Sequence, residues 1–173
     1  MSFGFSHLII AWAVGKGYEY FSKKEISHYA WFFLLLGGIL PDADFLIDWT
    51  FGTELHRTFT HSLFFVVIAP LLVYILFGLL KNKENTNFMF ALAVGIITHL
   101  LLDMFLSKGV PLFWPNLVHF SYTSVGYFDP TKPSFLNSSS AAFLKKFLKS
   151  AILDMAFGTT WIFYLWFRKR IKF

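Results

Sequence analysis

Cysteine is absent from the 173 residues, so disulfides and thiolate metal sites are excluded. Charge is also scarce. Asp, Glu, Lys and Arg together make up 14% of the chain, against about a quarter in ordinary soluble domains. Hydrophobic residues fill the space left: 56% of the chain, with 24 phenylalanines and a mean hydropathy of +0.57. This balance is that of a membrane protein. A net charge of +5 suits nucleic acid in principle, but the basic residues gather at the ends of apolar runs. That placement is a feature of membrane topology, and nucleic acid is not expected as a partner. The start, "MSFGFSHLII", lacks a basic region, and no small-x-small site follows it, so the first helix is expected to stay in the mature chain. With no thiolate available, a metal would have to bind through His, Asp or Glu.

Hydropathy predicts an all-α, polytopic membrane bundle of about five helices in one domain. Residues 60–80 and 88–106 are each long enough to cross a hydrocarbon core of about 30 Å, and 151–167 is slightly short. Two weaker N-terminal helices are expected over 3–14, running on towards Tyr20, and over 26–40, stopping at Pro41. The stretch "SSSAAFLKKFLKSA" reads as a short amphipathic helix lying along the interface. Such a helix accommodates Lys145, Lys146 and Lys149, the basic residues that dissent from the topology by falling at the outer end of the last span. Residues 108–140 read as an irregular outer loop. Lys16, Lys23 and Lys24, then Lys81 and Lys83, then Arg168, Lys169, Arg170 and Lys172 all fall on one side if the N-terminus is outside. By the positive-inside rule that side is cytoplasmic. The expected location is therefore the cell membrane, multi-pass.

Against this apolar background, a few polar residues stand out. His7 opens the first helix, Asp42 and Asp44 sit in "GGILPDADF", His56, Arg57 and His61 in "LHRTFTHS", and His99 and Asp103 in "THLLLDMFL". In a five-helix topology all of them fall in the outer half of the membrane or just above it. His99 and Asp103 lie one helical turn apart on one face, either sharing a metal or satisfying each other as a hydrogen-bonded pair. Asp42 and Asp44 follow Pro41, where caps and turns are the simpler reading. Thr60 or Ser62 can cap the helix that follows. Arg57 suits either a phosphate or a salt bridge to an aspartate. His28 and His119 read as bystanders, Glu54 as a loop residue, and Asp154 as a partner for a histidine or arginine. Trp114, in "GVPLFWP", reads as an interfacial anchor or as a lip beside the site.

The ordered pieces His7, "GGILPDAD", "HRTFTHS", "THLLLD" and "GVPLFWP" resemble the pattern of the membrane-bound metal-dependent hydrolases. Some bacterial members of that family are described as LexA-regulated inner-membrane proteins. The family is distantly similar to zinc-dependent phospholipase C. The resemblance implies His7, Asp42, His56, His61, His99 and Asp103 as metal ligands. It implies Asp44 as a ligand or supporting residue and Arg57 as a substrate anchor, with Asp42 or Asp103 bridging ions. Asp42, Asp44, Arg57 and Asp103 are thus the expected catalytic set. Two or three zinc ions are expected, with manganese or iron as possibilities, and a phospholipid or other amphiphilic phosphoester as substrate. Two other readings use the same residues: a transporter conducting a metal or proton, and a structural protein with a buried salt-bridge network.

Overall fold

A computed structural model describes residues 4–52, 58–106, 109–116, 118–122, 125–127 and 141–168. The described chain is helical apart from one small hairpin. Helix α1 covers Gly4–Ser22 and α2 covers His28–Ile39. A 3-10 turn over Leu40–Ala43 leads directly into α3, Asp44–Phe51. A second 3-10 turn, Phe59–His61, precedes α4, Leu63–Leu79. Then come α5, Asn85–Leu106, the antiparallel strands β1, Val118–Phe120, and β2, Val125–Tyr127, and finally α6, Ala141–Phe167. With α2 and α3 counted as one rod, the bundle has the expected five helical units.

The lengths are distributed differently from the sequence expectation. His28–Asp48 and Asn85–Phe105 each offer 21 residues apolar enough to cross a membrane, whereas Leu63–Leu79 and Ile152–Leu165 are shorter. At ~1.5 Å per residue, 21 residues span ~31 Å. The second helix ends at Ile39, just before Pro41 as expected, but the chain stays helical. Pro41 sits in the first turn of the 3-10 segment, where a missing N–H leaves no bond unmade, and α3 follows directly. The helix expected from residue 60 begins at Leu63 instead. Ser62 is its N-cap and accepts a hydrogen bond from the Phe65 N–H at 3.3 Å. The separate interfacial helix and last span are one continuous α6; no Gly or Pro interrupts 141–157. The hairpin falls inside 108–140, expected to be irregular; its first strand, "VHF", and second, "VGY", carry β-branched and aromatic residues.

The core lies where α2 crosses α5, with α4 against the other side. Ala30, Phe33, Phe88, Leu92, Ile96 and Leu100 form its buried cluster. Phe33 stacks on Phe88 at 5.1 Å, and Phe77 of α4 meets both rings edge-on. Two glycines let the helices come this close. A Cβ on Gly37 would lie 2.5 Å from the Leu92 carbonyl oxygen, and one on Gly95 would lie 2.2 Å from that of Leu34. Small residues at a helix crossing are how apolar helices pack where no water drives them together. The outer faces are the reverse of a soluble protein's: Phe105, Leu72, Val67, Phe157 and Phe163 are all well exposed.

Candidate metal centre

The glycine crossing fixes the position of the first donor. One turn beyond Gly95, His99 sits against α2, and its Nδ1 lies 2.9 Å from the Gly38 carbonyl oxygen. A carbonyl can only accept, so Nδ1 carries the proton and Nε2 turns its lone pair to the other side. His7 reaches the same place from α1. Its backbone carbonyl packs against Gly38, where a Cβ would come within 3.3 Å, and its ring stacks on His99 at 3.8 Å and 16°.

His61 arrives from the 3-10 turn before α4. Its Nδ1 is 3.0 Å from Thr60 Oγ1, and the Thr60 hydroxyl donates a short hydrogen bond to Asp44 Oδ2. With its own proton committed to the carboxylate, Thr60 accepts from His61 Nδ1–H. His61 Nε2 therefore also presents a lone pair, 3.3 Å from His99 Nε2. Asp44 lies outside the donor cluster, behind His61, 3.7 Å from its Nδ1. Of the two roles expected for Asp44, ligand or supporting residue, its position matches the second: it holds His61 through the Thr60 hydroxyl.

Two carboxylates complete the cluster. Asp42 places Oδ1 3.4 Å from His61 Nε2 and 3.6 Å from His99 Nε2, and turns Oδ2 towards His7 Nε2 at 4.0 Å. Asp103 places Oδ1 3.6 Å from His7 Nε2 and Oδ2 3.7 Å from His61 Nε2. Each carboxylate thus points one oxygen at His7 and the other at His61. His7, His61, His99 and Asp103 have essentially no side-chain exposure, and only Asp42, at 30%, meets the surface. His99 and Asp103, a turn apart on α5, join the cluster together and are not a self-sufficient pair.

The chemistry of these donors fits a cation. His61 Nε2, His99 Nε2 and the facing Asp42 and Asp103 oxygens are all acceptors, buried together with separations of 3.3–3.7 Å. A relaxed charge-assisted hydrogen bond would draw such atoms to ~2.7–2.9 Å. Donors held ~2.0–2.1 Å from one tetrahedral ion lie about 3.3–3.4 Å apart, close to the spacing here. Two overlapping groups have this character: His7, Asp42 and His99, and His61, His99 and Asp103.

His56 and Arg57, expected as ligand and anchor, lie outside the described residues, as does Glu54. Asp154 does not meet a histidine or arginine among the described residues. Its carboxylate accepts from the backbone N–H groups of Phe5 and Ser6, at 3.2 and 2.9 Å, and from the Ser6 hydroxyl. It caps the start of α1 one residue before His7, and Gly158 admits the Phe5 ring beside it. Trp114 packs on Phe59 and Phe64, next to the turn that carries His61, and the Leu63 N–H bonds the Leu112 carbonyl at 2.9 Å. "GVPLFWP" therefore braces that turn. His28 is exposed at the far end of α2, ~15 Å of helix from Gly38, and His119 lies in β1.

Over 117 residues the chain is 31% identical to the inner membrane protein YbcI of Escherichia coli (strain K12), a stretch covering 64% of this chain and 65% of that protein. The match thus spans just under two thirds of the relative's length. No solved structure matches the chain. The family described as YdjM inner membrane protein matches residues 1–171, and the chain belongs to that family.

Proposed function

We propose that this inner membrane protein is a metal-dependent hydrolase of phosphoesters, with the buried His/Asp cluster as its metal centre. The reading rests on the all-acceptor cluster described above. A metal lies in the plane of the imidazole that binds it. The His7 and His99 rings are stacked and tilted by only 16°, so their planes do not meet within the ~2 Å reach of a metal–nitrogen bond. That favours two ions over one, which His7, His61, His99, Asp42 and Asp103 would hold between them. Zinc suits this nitrogen and oxygen set, and manganese or iron are its competitors.

When bound, such ions supply Lewis acidity and a water that ionises near neutral pH. The chain's own residues supply the rest. Gly38 and Thr60 fix the two imidazole tautomers, Asp44 holds Thr60, and the closed packing around His7 and Asp103 keeps bulk water out. Asp42, the one exposed donor, marks the side from which a substrate enters. Arg57, close in sequence to His61, is assigned to a phosphate oxygen. Lys16, Lys23, Lys24, Lys81 and Lys83 fall at the other end of the bundle, which supports a multi-pass topology with the centre on the extracytoplasmic side. An amphiphilic phosphoester at the outer headgroup level is the substrate class that this placement favours.

A conduction pathway is the weaker reading. The buried polar residues described, His7, Asp44, His61, Ser62, Thr98, His99, Asp103 and Asp154, lie on or near the cluster, and none continues the line to the lysine end. The test is turnover of phospholipid and soluble phosphoester substrates by zinc- or manganese-loaded protein in detergent. Release of phosphate or a phosphorylated headgroup by wild type, abolished in Asp103→Asn, is the expected result. No turnover of any phosphoester by fully metal-loaded wild type would sink the hydrolase reading.

A further inference from the structure

A cavity lies at the opposite end of the bundle from the His/Asp cluster and shares no residue with it. It is a groove of about 650 Å³ with α2 as its floor and α1 and α5 as its walls. That volume is within the ~300–1,000 Å³ of ordinary ligand sites. Gly15, Ala30 and Ala91 are the small residues of its lining, with Trp31 and Leu34 packed directly onto Gly15.

Its lining changes character in the same direction on each helix. Along α5 it runs from Asn87 through Phe90 and Ala91 to Val94. Along α2 it runs from Ser27 through Ala30 to Leu34, and along the antiparallel α1 from Tyr18 to Val14. The apolar end lies towards the middle of the bundle, and the polar end opens at the α1–α2 connection, where Lys24 and Glu25 line the mouth. Both are exposed, and no ion pair holds the Lys24 amine among the described residues. The other cations nearby are engaged: Lys16 Nζ lies 2.6 Å from Glu19, and Lys23 Nζ stands over the Tyr20 ring at 5.2 Å. The N-terminus of α2 beside the mouth is already occupied: Ser27 caps it, accepting from the Ala30 N–H and donating to the Glu84 carboxylate at 2.5 Å, which leaves Lys24 as the group open to an anion.

We infer that this groove holds one acyl chain of a zwitterionic phospholipid, with its phosphate at Lys24 and its primary amine at Glu25. A groove apolar at one end, with one free cation and one carboxylate side by side at the other, matches that ligand's own order of groups. A purely anionic headgroup would meet Glu25 as a like charge. Basic pockets between membrane helices on the lysine-rich side are known lipid headgroup sites in general.

Delipidated, detergent-purified full-length protein would be titrated with dioctanoyl phosphatidylethanolamine and, separately, dioctanoyl phosphatidylglycerol, and bound lipid counted by native mass spectrometry. Wild type should prefer the ethanolamine lipid. Lys24→Gln should weaken both lipids roughly tenfold, the size of one lost charge-assisted hydrogen bond. Glu25→Gln should abolish the preference, and Ala91→Trp should block either chain. Lys24→Gln and Glu25→Gln alter exposed groups and leave the packed core intact, so they test the site even if Ala91→Trp fails to fold. Equal binding of the two lipids by wild type, or unchanged binding by Lys24→Gln, would overturn the assignment.

Discussion

Replacing Gly95 by alanine tests whether the helix crossing sets the metal centre. The added Cβ would lie 2.2 Å from the Leu34 carbonyl oxygen and 2.8 Å from Gly37 Cα, where ordinary contact starts at 3.4 Å. Both neighbours are backbone, so no side chain can rotate away, and α2 and α5 must part by about an ångström. The His99 Nδ1–Gly38 bond starts at 2.9 Å, and hydrogen bonds of this kind weaken beyond ~3.2 Å. Overpacking costs about 1–3 kcal/mol, and a buried donor and acceptor left apart about 1–3 kcal/mol more. Gly95→Ala should therefore lose about 2–6 kcal/mol of stability and weaken metal binding with it. Gly17→Ala is the control: it sits in α1 with nothing within 4 Å of a new Cβ, and alanine in a helix interior is favoured by ~0.5–1 kcal/mol. Thermal unfolding in detergent, followed by circular dichroism and alongside zinc titration, compares the two. If Gly95→Ala unfolds with Gly17→Ala and binds zinc equally well, the crossing does not position the site.

Three further perturbations separate the supporting contacts. Thr60→Val removes the hydroxyl between His61 Nδ1 and Asp44; zinc affinity should fall about 10–100-fold, and Thr60→Ser should restore most of it, as measured by competition with a chelator. Asp154→Ala leaves the Phe5 and Ser6 N–H groups without their acceptor. It should cost about 1–2 kcal/mol and raise amide exchange at the start of α1; exchange unchanged there would contradict the cap. Asp44→Asn keeps an oxygen for Thr60 but removes the charge behind His61, so zinc affinity should fall less than in Thr60→Val, and an equal or larger fall would make Asp44 a ligand in its own right.

Much of this architecture was legible before any coordinates, and the reason is the cost of polarity in an apolar chain. His99 and Asp103 stand out because a bilayer-length helix has no other use for them, and both prove to be buried donors of one cluster. Asp42 and His61 could be brought to the same level from topology alone. What sequence could not supply was the division of labour between neighbours. Asp42 lies in the 3-10 turn and Asp44 opens α3 two residues later, so they face different sides, and only Asp42 enters the cluster. Thr60 looked like a cap because hydroxyls before helices usually are caps; Ser62 has that role, which leaves Thr60 to His61. Asp154 was misread because its partners are backbone N–H groups, which leave no mark in the sequence. Pro41 does end the α-helix at Ile39, but the tighter turn accommodates the proline, so the rod runs on into α3, which proline's usual effect on helices does not reveal.

The central claim is that the five convergent side chains His7, Asp42, His61, His99 and Asp103 hold metal. Elemental analysis of detergent-purified wild type beside His99→Ala and Asp103→Ala tests it most directly. The account predicts about two equivalents of zinc or another divalent transition metal in wild type, falling towards zero in both variants while the helical content stays unchanged. A well-folded wild type that is free of metal and cannot be loaded with zinc or manganese would contradict it and leave a buried salt-bridge network in its place.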